Sequence, residues 1–334
     1  MKRNIIHLLI FIITIYCYSL DIDYFNLQVS KDEGKGILTK PSRDGFFVDE
    51  NTLVYFKYII NTKERIYSKD YQKVILCEKD IKNNNTNEKE IFLNDIVYCT
   101  NKFFFLQRNI FDKKFLGCFS AHREHEAIDN MLFIYDKDSI NKISFKQIKE
   151  FDYLYDAQIF KYGSIIVGDK DNICYLSFYD NAFNKIKDLV NGKGEIIITI
   201  GNDNQTIFFY CNDNTLYQTN YPFDKEPVSI KKFPEMIISR MRVNPQNNLI
   251  IMQEGPHTVL YNSEKDKIEK MNLKYELIGD WISAKEFLIT SDNQILKINA
   301  DNLETEKISE KGMLLFAINK WNGKIFLSKI PKVD

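Results

Sequence analysis

Apolar residues along this chain come in runs of four to six, rich in Ile, Val, Phe and Tyr and bounded by Asn, Asp, Lys and Gly. Runs of β-branched and aromatic residues between turn formers read as short strands. The strongest lie at 103–106, 131–135, 164–167, 206–210, 249–252, 286–289 and 324–327. They recur: taken at Ile165, Ile207, Ile250, Leu288 and Ile325, the intervals are 42, 43, 38 and 37 residues. Most are followed by a polar turn and a second apolar run, as where Asp171-Asn172 precedes 173–176 and Asp292-Asn293 precedes 295–298. Charged turns and weaker fourth strands, at 267–270 and 303–308, close the later units. Only a few short stretches such as 141–149 carry an i, i+3, i+4 pattern, which predicts a brief helical turn there.

A unit of about 40 residues with four strands has the size of a propeller blade. One four-stranded sheet cannot bury two apolar faces, so such sheets must stack around a channel. This accounts for strands that are apolar on both faces rather than alternating. The expected fold is all-β, a single propeller of six or seven blades. The rival is a pair of β-sandwiches, although no Pro/Gly/Ser linker divides the chain. The last unit supplies only two strands, at 316–319 and 324–328, and a propeller must close its ring or leave an edge exposed. Residues around 25–29 and 45–48 are therefore expected to complete the final blade.

Residues 1–19 change the picture of the compartment. Lys2 and Arg3 precede an apolar run from Ile5 to Tyr16, and Cys17 and Ser19 supply small residues before Asp21. This is the layout of a cleaved secretory signal, too short to span a bilayer. The expected organisation is a signal over 1–19 and a propeller over 20–334, secreted, with neither a later membrane span nor a C-terminal lipid anchor. Removing the signal takes two of the 45 basic residues, leaving 43 against 46 acidic ones and a net charge of -3. Such a balance does not fit a general nucleic-acid binder.

Five of the six cysteines remain: Cys77, Cys99, Cys118, Cys174 and Cys211. In an oxidising compartment an odd number leaves one free or intermolecular thiol. Cys77–Cys99 and Cys174–Cys211 are the expected bridges, with buried free thiols as the alternative. Two sequons, at Asn84 and Asn204, are candidate glycosylation sites.

Catalytic signatures are scarce. The chain has no G-x-S-x-G, P-loop, G-x-G-x-x-G or H-E-x-x-H. His122 and His125 flank acidic residues at a spacing that zinc accepts, but no further ligand is evident and a solvated loop is the expected setting. The Asp/Asn turns lack calcium-loop spacing and are expected to be tight hairpins. Trp281 and Trp321 sit just before apolar runs in successive units, where they either line a ligand pocket at the channel mouth or pack between blades.

The opening Asp49-x-Asn51-x-Leu53-Val54-Tyr55, the later Gly168-Asp169…Asn172-Ile173 and the even blades after a signal resemble insect ommochrome-binding proteins. That resemblance implies a secreted haemolymph protein that carries a yellow, tryptophan-derived pigment. The expected function is a secreted, non-enzymatic protein binding a small aromatic or apolar ligand and needing no cofactor. A calcium-dependent lactonase or esterase is the alternative, with Asp156, Glu195 and Asp280 as candidate metal ligands. A propeller that binds a protein partner is the third reading.

Overall fold

The computed structural model describes residues 22–24, 30–32, 37–61, 72–91, 98–99, 110–111, 113–123, 126–271, 273, 276–319 and 321–329. The expected signal over 1–19, the apolar run 103–106, His125 and the closing segment 25–29 lie outside these residues.

The described strands form seven sheets. The first sheet holds Ser30–Asp32, Ile37–Phe47, Thr52–Asn61, Gln72–Asp80 and Asn85–Ile91. The second holds Lys114–Arg123, Glu126–Asp136 and Ile143–Gln147, with the short Tyr98–Cys99 and Ile110–Phe111 both paired to the first of these. The next four are four-stranded antiparallel meanders. The third runs Tyr153–Phe160, Gly163–Lys170, Ile173–Tyr179 and Lys185–Gly192; the fourth runs Ile197–Ile200, Thr206–Cys211, Thr215–Asn220 and Val228–Lys232. The fifth runs Ile238–Val243, Leu249–Glu254, His257–Asn262 and Lys267–Lys270; the sixth runs Glu276–Trp281, Glu286–Ser291, Gln294–Asn299 and Thr305–Lys307. The last sheet pairs Met313–Ile318 with Ile325–Lys329, and Ile22–Tyr24 joins it in parallel.

Each sheet packs on the next. Phe56 meets Phe133 edge-on at 5.6 Å between the first and second sheets. Leu132 of the second packs with Leu154 and Ile166 of the third, and Val167 with Ile207 and Phe209 of the fourth. Tyr210 packs with Met252 of the fifth, whose Ile251 meets Phe287 of the sixth. Leu288 then meets Leu327 of the last sheet, and Phe316 and Phe326 of that sheet meet Phe47 and Tyr55 of the first. The order is cyclic, so every sheet buries both faces and the fold is an all-β propeller. Large aromatic side chains suit the wedge between sheets because each can remove about 150–250 Å² from water.

The hairpins follow the turn chemistry. Asp171 (φ 54°) with Asn172 (φ 61°), and Asp292 (φ 47°) with Asn293 (φ 60°), occupy the left-handed region that two-residue hairpins demand. Gly163 is needed for a close approach: at φ 153° a Cβ there would lie 2.1 Å from the Tyr179 carbonyl oxygen.

Three expectations are corrected. The brief helix at 141–149 is instead the edge strand Ile143–Gln147, paired with Met131–Tyr135. Its alternating exposure shows that the period is two, not 3.6. His122 is not in a loop but in the strand Lys114–Arg123, paired with Ile128. Ring closure uses Ile22–Tyr24, which pairs with 325–327, whereas Gly45–Phe47 pairs with 53–55 inside the first sheet and packs across on Phe316.

Candidate functional site

The first strands of sheets three to six lie beside one another in turn, so these strands border the channel. Their registers show which residues share a level. Tyr153 faces Asp169, Ile197 faces Tyr210, Arg240 faces Gln253, Leu277 faces Thr290 and Leu314 faces Ser328. Each partner stands at the matching place on its second strand, so these five residues form one level across sheets three to seven. Leu277 is 53% exposed and Tyr153 43% exposed, Arg240 is exposed, and Ile197 and Leu314 are half-buried. Scattered exposed apolar side chains are ordinary. Four at one level of adjoining strands, with one guanidinium among them, make a collar.

The level beneath is polar. Asp156 pairs opposite Val167, Thr199 opposite Phe208, Arg242 opposite Ile251 and Ala317 opposite Phe326. Asp280 stands at the corresponding place, in the bulge between Ile278 and Trp281. Bulges on four of these strands, between Leu154/Asp156, Ile238/Arg240, Ile278/Trp281 and Leu315/Ala317, turn the chain at the site. Asp156, Thr199 and Asp280 are buried and Arg242 is half-buried. Buried polar groups need partners. Asp156 accepts a hydrogen bond from the Gln158 amide at 3.3 Å, Asp280 accepts the Trp281 backbone N–H at 2.9 Å, and Arg242 donates to the Met241 carbonyl at 2.8 Å. Beside the collar, Tyr155 donates to Asp169 at 2.8 Å, and burial followed by that carboxylate raises its phenol well above the usual range.

The residues singled out from sequence fall in several places. Asp156 and Asp280 share the polar level, on sheets three and six. Glu195 precedes the fourth sheet and is exposed, and no group of three or more His, Cys, Asp or Glu converges to hold a metal among the described residues. Trp281 and Trp321 are not equivalent. Trp281 ends a strand, is 2% exposed, packs on Phe287 at 5.1 Å and donates its indole N–H to the Arg242 carbonyl at 3.1 Å. Trp321 lies in the turn between the last two strands and is 52% exposed. Neither belongs to the collar.

Cys77, Cys174 and Cys211 are free, so neither Cys77–Cys99 nor Cys174–Cys211 is bridged. Cys77 packs among Phe47, Tyr55 and Phe326, while Cys99 pairs with Ala121 in a different sheet. Cys174 and Cys211 lie in one core cluster as small apolar fillers. Burial pushes the thiols of Cys77 and Cys211 up to about 12 and that of Cys174 to about 11. Asn84 (φ 54°) and Asn204 (φ 52°) sit at hairpin tips.

A second aromatic group, between sheets three and four, is already filled. Tyr162 and Tyr221 stack on each other at 3.9 Å and 7°, with Phe160, Phe178 and Phe223 around Tyr221. Neither this group nor the collar was singled out in the sequence. The collar's members look like ordinary strand residues until the 40-residue period is applied to the residues three before Asp156 and Asp280.

No family model matches the chain, and no curated protein does. Among solved structures, the chain is similar to Kluyveromyces lactis Hsv2p at 11% identity and a TM-score of 0.44, over 76% of this chain and 73% of that one. It is also similar to KlHsv2 with loop 6CD replaced by a Gly-Ser linker, at 13% identity and a TM-score of 0.49, over 84% and 87% respectively. No residue role is carried over from either.

Proposed function

We propose that this chain is a secreted, non-catalytic propeller that binds a small aromatic or apolar molecule at the channel end ringed by Tyr153, Ile197, Leu277 and Leu314. The observation that carries the reading is the collar itself: apolar side chains kept partly exposed at one level on the first strands of successive sheets. Apolar walls with a few convergent polar groups suit such ligands. The polar level beneath, with Asp156, Thr199, Arg242 and Asp280, forms a floor that orients the ligand. An ommochrome-type pigment is the proposed ligand, on the strength of the resemblance in sequence.

In this reading residues 1–19 are a cleaved signal, and Asn84 and Asn204 carry glycans. The sheet that unites the two ends of the chain counts as a seventh blade. Xanthommatin, titrated into the full chain and followed by its own visible absorbance and by tyrosine and tryptophan quenching, tests the function. Saturable binding that Leu277→Asp weakens at least tenfold is expected. Absence of saturable binding, or equal binding by Leu277→Asp, counts against the site. Calcium-dependent ester or lactone hydrolysis by the purified chain would favour an enzyme instead.

A further inference from the structure

We infer that the collar selects flat apolar molecules bearing a carboxylate, and that Arg240 receives that group. The inference rests on the binding site proposed above and adds the charge of its ligand. Among the described residues of the collar, Arg240 is the one ionisable group besides the Tyr153 phenol, and its four companions are apolar or aromatic. Its register places it on the fifth sheet, with Leu277 beside it on the sixth and Ile197 on the fourth.

Charge is layered along the channel. Of the five collar residues Arg240 alone carries a full charge; the Asp169 carboxylate, opposite Tyr153 on the third sheet, is engaged by the Tyr155 hydroxyl. The carboxylates Asp156 and Asp280 stand one level deeper, where Arg242 from the same strand as Arg240 stands with them. An anionic group beside the fifth sheet at collar depth therefore meets a guanidinium, whereas an ammonium in that place meets the same positive charge. Guanidinium is suited to this task because its planar fork matches a carboxylate with two parallel hydrogen bonds. In open water such a pair contributes little. Between apolar walls, with the ring of the ligand excluding water, it discriminates more strongly. The ligand then lies with its carboxylate toward the fifth sheet and its ring across Leu277 toward Tyr153.

The test uses three probes with one ring system: 1-naphthaleneacetate, 1-naphthalenemethanol and protonated 1-naphthalenemethylamine. Each is measured by equilibrium dialysis against the full chain and against Arg240→Gln. The carboxylate is expected to bind at least tenfold more tightly than the alcohol, and the ammonium more weakly than either. Arg240→Gln should erase the advantage of the carboxylate while leaving the alcohol within about twofold, which also shows that the variant is folded. Equal affinities for the three probes, or an unchanged preference in Arg240→Gln, overturns the inference and leaves the binding site itself standing. Binding of xanthommatin with none of the three probes retained has the same consequence. Failure of xanthommatin and all three probes together overturns both.

Discussion

Aspartates at hairpin ends show how single residues shape this fold. Asp180 accepts the backbone N–H groups of Ala182 and Asn184, at 2.9 and 2.8 Å, and the Asn184 side-chain amide at 3.1 Å. Those bonds, led by the Asn184 backbone N–H, hold its carboxyl below the ordinary range. For Asp203, burial raises the carboxyl, but the N–H groups of Gln205 and Thr206 and the Thr206 hydroxyl outweigh it, and the net direction is down. A group whose carboxyl is depressed in the folded state adds stability that is present above its unfolded value. That stability is lost as pH falls through the folded value. Melting temperature should therefore drop as pH falls below about 4, the unfolded range for Asp. Asp180→Asn should flatten that slope in calorimetric scans between pH 2 and 6, and an unchanged slope would assign acid sensitivity to other groups. These turns were readable in the sequence because Asp and Asn bond to their own backbone and tolerate φ above zero. The thiols were not, since Cys77 and Cys174 read equally well as halves of bridges or as buried fillers until their neighbours are known.

Among elements, amide side chains join neighbouring sheets. Asn130 reaches the Phe151 carbonyl at 2.5 Å, from the second sheet to the third. Gln158 reaches the Ile198 carbonyl at 3.0 Å, from the third to the fourth. Asn244 reaches the carbonyls of Ser283 and Ala284, at 3.1 and 3.0 Å, from the fifth to the sixth. Asn319 reaches the Glu50 carbonyl at 2.7 Å, from the last sheet to the first. All four side chains are buried. Apolar faces alone can slide past one another; a directional bond to a buried carbonyl sets the offset of one sheet on the next. Asn244→Ala removes two such bonds; the Ala284 carbonyl keeps the Asn247 amide at 2.9 Å while that of Ser283 loses its side-chain donor, so a loss of about 1–3 kcal/mol is expected. Urea unfolding followed by tyrosine and tryptophan emission measures it, and a loss below about 0.5 kcal/mol would mean that the packing alone sets the offset. None of these contacts was legible beforehand: each amide looks like a turn residue or a strand residue, and its acceptor lies on another sheet.

At the scale of the molecule, closure depends on three residues near the beginning of the chain. Ile22, Asp23 and Tyr24 pair in parallel with Ile325, Phe326 and Leu327. Without them the strand Ile325–Lys329 presents an open edge, a template for pairing with another chain. Asp23→Pro places a residue without an N–H in that pairing. It should lower the melting temperature by several degrees and raise the dimer fraction in light scattering after size exclusion, whereas a monomer with unchanged melting would show that closure is dispensable. The sequence by itself determined the class of fold. The period near 40, the apolar runs and the Asp-Asn turns are local signals, set by φ/ψ preference and by the need to bury two faces, and they survive in one dimension. Only the tertiary structure decided what stands together. Asp156, Thr199, Arg242 and Asp280 share a level, and Tyr153, Arg240 and Leu277 form a collar, because strand registers, bulges and sheet offsets align residues some 40 positions apart. A shift of one residue in any strand would turn its side chains to the opposite face. That is why two members of the polar level, Asp156 and Asp280, were visible only as candidate metal ligands, and the apolar collar above them was not visible at all.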